Sequence, residues 1–139
     1  KRPGRFDRLV FVPPPDLRAR ERILELHLAE PPTADDLDSA AYASRTPLFS
    51  GADLRHLAER AVDSAIDETL SSGGDVPVSQ THLDAALAAL APTTLDWLAT
   101  ARNYVEFANE SGRYDDVLSY LDSAEVRAAS GSRRGWRRG

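Results

Sequence analysis

Phe49-Ser50-Gly51-Ala52-Asp53-Leu54 opens the longest periodic stretch of the chain, which runs to Leu70 and ends at Ser71-Ser72-Gly73-Gly74. Leu54, Leu57, Ala58, Ala61, Val62, Ala65, Ile66 and Leu70 recur at steps of three and four. That period places them on one stripe of an α-helix. Ser50 is the expected N-cap, because its hydroxyl can accept a first-turn amide. Asp53, three residues on, can return the bond. The glycine pair supplies the stop.

Working outward, the same logic yields a mostly helical chain. Val78-Ser79 precedes a second helix with Leu83, Ala86, Leu87 and Leu90 on its apolar face. Ser79 is its expected cap, and Val78 can staple onto Leu83. Upstream, Pro15-Asp16 opens a helix to about Ala29 that carries Leu17, Ile23, Leu24, His27 and Leu28, and Pro31-Pro32 ends it. Thr33 is placed to cap a short helix bearing Leu37, Ala40 and Ala41. Arg8-Leu9-Val10-Phe11-Val12, stopped by three prolines, reads as one buried strand. A lone strand needs a sheet, which the sequence would supply upstream. Downstream, a helix from about Leu95 to Asn109 carries Trp97, Leu98, Ala101, Tyr104, Val105 and Ala108. Ser111-Gly112 reads as a turn before a last short helix with Tyr114, Val117, Leu118 and Leu121. From about Ala128 the Ser/Gly/Arg composition predicts disorder.

Composition narrows the function classes. The 139 residues are 42% hydrophobic, enough for a packed core, and no window is apolar enough to span a bilayer. No basic segment followed by an apolar run opens the chain as a signal peptide would. With no Cys there is no disulfide framework, thiolate metal site or thiol nucleophile. With no Met the chain reads as an excerpt of a longer protein. Net charge is +4 over residues 1–22, −14 over 23–126 and +5 over 127–139. The acidic middle repels phosphate and disfavours nucleic acid there. Arg133-Arg134-Gly135-Trp136-Arg137-Arg138 could touch nucleic acid, an acidic partner or anionic lipid, or could simply solubilise the end. His56 and His82 lack a second ligand at helical spacing, so no metal site is expected. Asp35, Asp36 and Asp38 read as helix-start capping. No serine stands in a defensible Ser/His/Asp set.

Arg2-Pro3-Gly4-Arg5-Phe6-Asp7 carries the most chemistry. A Pro-Gly turn lets two guanidinium groups project the same way, and each offers a donor fork that matches phosphate oxygens. The pair could neutralise charge on a transferring phosphoryl group, or could be a solvated basic loop. Together with Arg22-Ile23-Leu24-Glu25-Leu26-His27 and Phe49-Ser50-Gly51-Ala52-Asp53-Leu54, in that order, this segment resembles the AAA ATPases (ATPases associated with diverse cellular activities) over about residues 1–91. The resemblance implies the end of the large α/β subdomain over 1–15 and the small helical lid over 16–91. A helical extension over 92–126 and an Arg-rich tail over 127–139 would follow.

The resemblance also implies roles. Arg2 and Arg5 would be arginine fingers reaching a neighbouring subunit's nucleotide. His27 would sit against the adenine and ribose of ATP, with Gly51 and Ala52 against the nucleotide. Ala52 stands where many broader relatives place a sensor arginine, which fits the AAA family proper and leaves Arg55 a minor candidate for that role. The partners implied are identical subunits in a ring, a hexamer, and a protein substrate; the expected location is the cytoplasm, with no membrane partner. The chain holds no Gly-x-x-x-x-Gly-Lys-Ser/Thr loop and no apolar strand ending in Asp-Glu. ATP's phosphates and Mg2+ would thus be held by residues outside it, and alone it should not hydrolyse ATP. Two alternatives stay open: a non-catalytic helical assembly module, and nucleic-acid binding through the tail. Trp97, Tyr104 and Phe107 could pack back on the large subdomain, or could simply be core aromatics of the extension. Residues 97–118 faintly echo a tetratricopeptide hairpin, with its two tyrosines about one turn too far apart.

Overall fold

The periodic stripe that begins at Leu54 becomes the central helix of the molecule. A computed structural model describes residues 12–108 and 115–128. In it α1 spans Leu17–His27, α2 Ser39–Ser44, α3 Gly51–Ser72, α4 Gln80–Ala88, α5 Thr94–Ala108 and α6 Asp115–Leu121. A further helical turn covers 124–128. Among the described residues there is no strand, only a parallel bridge between Thr33 and Val78. The expected strand over Arg8–Val12 lies outside the described residues except for Val12, which is exposed.

The starts of α1, α2 and α3 each follow from a short acceptor side chain. Asp16 accepts the Ala19 amide at 2.8 Å and caps α1. Asp38, one of the three aspartates read as helix-start capping, caps α2 by accepting the amides of Ala40 and Ala41, and Thr33, the other expected cap, does not. Thr33 is instead drawn into the bridge, where Val78 N–H donates to Pro32 O and Ala34 N–H to Val78 O. That pairing ties the α1–α2 connection to the α3–α4 connection, so tertiary context displaced the local cap. At α3 the reciprocal box forms as expected: Ser50 Oγ accepts Asp53 N–H at 3.1 Å, and Asp53 accepts Ser50 N–H at 2.9 Å. At α4 the returning acceptor is His82, whose Nδ1 takes the Ser79 amide at 3.0 Å. Nε2 of that ring must then carry the proton, and it lies 2.8 Å from Glu68 Oε2. His82 is 7% exposed and serves as a structural cap between α3 and α4.

Two cores result. In the first, α1 and α4 pack on α3 and α2 packs on α1, burying Leu24, Tyr42, Phe49, Leu54, Leu57 and Leu83 among others. Full burial of a leucine such as Leu57 contributes about 1.5–3 kcal/mol. In the second, α5 and α6 pack on each other through Leu98, Val105, Val117 and Leu121, with Val126 and Leu48. Leu48 belongs by sequence to the approach to α3, yet its side chain enters the C-terminal core. Ile66 and Leu70, expected on the buried stripe, are 51% and 78% exposed. The start of α4 reaches the last turns of α3 through His82 and Glu68, but Ile66 and Leu70 face an open groove beside Pro31, Pro32 and Val76 instead.

Candidate functional site

The fold sets His27 and the α3 start at different points along one helix pair. His27 is exposed in the last turn of α1, where that helix packs on α3. It lines an open cleft of about 540 Å³ with Leu26, Glu30, Pro31, Ala58, Glu59, Val62 and Asp63. Gly51 and Ala52 are exposed in the first turn of α3. Seven residues separate Gly51 from Ala58, about 10 Å of helix axis. The cleft lining therefore does not include Gly51 or Ala52. Arg2 and Arg5 lie outside the described residues.

The start of α3 is held from behind and open in front. Its box satisfies Ser50 and Asp53. The amides of Gly51 and Ala52, the first two of the helix, have no acceptor among the described residues. A Cβ built on Gly51 meets nothing within 4 Å, and its φ is not positive. Neither packing nor backbone conformation within the described residues requires glycine at this position. Behind the turn, the Asp53 carboxylate also accepts the Thr93 amide at 3.2 Å and the Thr93 hydroxyl at 3.0 Å. Leu48 holds φ +63°, a left-handed conformation that costs a leucine about 1–2 kcal/mol. The Thr94 hydroxyl donates to its carbonyl.

Two further polar clusters escaped sequence reasoning. Arg20 is 4% exposed; its Nε donates to Ala43 O, and its Nη1 donates to Pro15 O and to Glu125 Oε1 at 2.8 Å. Its partners lie 23, 5 and 105 residues away, so no local pattern could have singled it out. The Tyr42 hydroxyl lies 2.8 Å from Asp84 Oδ1, and Arg45 donates to the same oxygen at 2.7 Å while its guanidinium sits 5.1 Å from the Tyr42 ring centre. Burial, then the hydrogen bond and charge of Asp84, push the Tyr42 hydroxyl up to about 12, against an opposing Arg45. Bonds from Arg45 and Tyr42 hold the Asp84 carboxyl below its usual value. Both clusters join elements distant in sequence. Among the described residues no group of three or more His, Asp or Glu is placed to hold a metal ion. No helix among them is long and apolar enough to cross a membrane.

Comparison with known proteins places this arrangement. No family model matches the chain. Part of it is 51% identical over 74 residues to the ATP-dependent zinc metalloprotease FTSH 11, chloroplastic/mitochondrial, of Arabidopsis thaliana, covering 51% of this chain and 9% of that protein. It is 51% identical over 65 residues to the FtsH of Halothermothrix orenii, covering 47% and 10%. It is 47% identical over 85 residues to FtsH 3 of Sorangium cellulosum, covering 61% and 13%. The chain thus spans about a tenth of the length of these curated relatives. Among solved structures, a chain from work on the structural basis for katanin self-assembly superposes with a TM-score of 0.59 at 26% identity, covering 64% of this chain and 36% of that one.

Proposed function

The chain is a C-terminal segment of an AAA ATPase with a helical lid bundle, and on that premise we propose that it serves as the lid and arginine-finger portion of a ring-forming ATP hydrolase. The reading draws on the three signatures in one order, on relatives named as ATP-dependent enzymes, and on a solved neighbour whose title concerns self-assembly. The observation that carries it is the open start of α3, where a glycine that nothing within the described residues requires stands beside two unpartnered amides. A small residue there lets a ligand approach the backbone, and the helix dipole favours an anionic one.

In this reading Gly51 and Ala52 seat the adenine side of ATP, and His27 approaches the adenine and ribose from α1. ATP supplies the anhydride whose cleavage is coupled to movement. Arg2 and Arg5 reach the neighbouring subunit's nucleotide and offset the charge that develops during cleavage. The phosphate loop and the Mg2+-organising acids belong to residues outside this chain. The lid tilts against the large subdomain as nucleotide turns over, within a hexameric ring that acts on a protein substrate in the cytoplasm. The relatives' names add zinc-dependent proteolysis; we do not extend that to this chain, because the match covers about a tenth of each of those proteins.

Arg5→Ala in the intact protein tests the proposal. Turnover should fall by about 10³ or more while ATP affinity stays near wild type. Steady-state hydrolysis and a nucleotide titration measure the two separately. Equal loss of both would overturn the finger assignment. Unchanged turnover would favour a non-catalytic assembly module.

A further inference from the structure

Residues 93–128 meet the lid at three places, and the lid residues they meet are not scattered. Thr93 donates its N–H and hydroxyl to Asp53, and Thr94 donates its hydroxyl to Leu48 O. Leu48 and Asp53 bracket Gly51 and Ala52 in sequence. Glu125 pairs with the buried Arg20, which also holds the Pro15 carbonyl on the segment that enters α1. Leu48 is fully buried in the core of α5 and α6 while its backbone holds φ +63°. A residue in such a conformation persists only where its surroundings over-determine it. Here those surroundings are the Thr94 bond and the C-terminal core.

We propose that the described parts of the extension, 93–108 and 115–128, form a positioning brace, which sets the backbone over 48–53 and holds the entry to α1, so that Thr93, Thr94 and Glu125 act as positioning residues for the nucleotide-facing edge of the lid. The proposal rests on the reading of Gly51 and Ala52 given above. It concerns contacts to α1 and to the approach of α3, and leaves apart the expectation that the extension's aromatics pack on the large subdomain, which lies outside the described residues.

Thr93 is exposed, so Thr93→Val removes one hydroxyl without disturbing a core. Thr93→Ser restores it, and Glu125→Gln keeps size while removing charge. In the 139-residue chain, amides over 48–54 should exchange about tenfold faster in the Val variant, and those over 16–20 faster in the Gln variant, with the middle of α3 and α4 unchanged. The Ser variant should exchange like wild type. Unchanged exchange over 48–54 would overturn the brace, as would a uniform acceleration across the chain. In the intact protein, Thr93→Val should raise KM for ATP several-fold with kcat within about twofold, and Thr93→Ser should not. Gly51→Val separates the two readings. If it raises KM and Thr93→Val does not, the brace fails and the nucleotide reading stands. If neither raises KM, the nucleotide reading fails and the brace falls with it.

Discussion

Tyr42 shows how one side chain makes a tertiary contact measurable. The residue is 3% exposed, and its hydroxyl is bonded to Asp84 of α4. Burial first, and Asp84 second, raise its pKa to about 12. An unfolded tyrosine loses its proton near pH 10. Between pH ~10 and ~12 the unfolded chain therefore releases a proton that the folded chain keeps, and stability falls as pH rises through that window. Below pH ~10 the contribution is fully present. Asp84 works in the opposite sense: its lowered pKa contributes stability that is lost as pH falls through the folded value. Urea unfolding across the alkaline range should show a steeper decline for wild type than for Tyr42→Phe. Parallel slopes would mean that the bond to Asp84 does not hold the proton.

At the scale of elements, α3 contrasts two glycines. Gly73 ends the helix at φ +76°, where any Cβ is strained. Gly51 begins it with open space and no positive φ. Gly73→Ala should therefore cost about 1 kcal/mol. Gly51→Ala should be neutral or stabilise the chain by up to about 1 kcal/mol. Urea midpoints of the two variants decide it, and a loss at Gly51 as large as that at Gly73 would mean that the chain itself needs that glycine. The helix also shows a limit of periodicity. Ile66 and Leu70 keep the apolar step yet stay exposed, because period reports a face and not whether a partner lies on it. With Val62, Pro31 and Pro32 they line an open groove of about 520 Å³.

At the scale of the molecule, the two cores are joined through Leu48, Thr93 and the Arg20–Glu125 pair. A chain ending at residue 92 would expose Leu48 and leave Arg20 without Glu125. It should be about 2–4 kcal/mol less stable than the full chain by urea unfolding. Equal stability would reduce the extension to an appendage. The last two helices, α5 and α6, pack on each other through Leu98, Val105, Val117 and Leu121. The expected Ser111-Gly112 turn, the side chains of Tyr104 and Phe107, and the Arg-rich tail beyond residue 128 lie outside the described residues.

Helix existence, the caps at Asp16, Ser50 and Ser79, the stop at Gly73 and the family resemblance were all legible in the sequence. Each depends on residues within about one turn of each other or on short motifs, and local spacing suffices to read them. His27, Gly51 and Ala52 were nameable for the same reason. Their separation into the α1 cleft and the α3 start was not, because it depends on how two helices cross. Only the tertiary structure drew Thr33 into the bridge with Val78, turned Ile66 and Leu70 outward, gave Leu48 to the C-terminal core and paired Arg20 with Glu125. Those outcomes were decided by contacts between residues tens of positions apart, where a buried charge or an unfilled core takes whatever partner the chain brings near, and no local pattern records which one that will be.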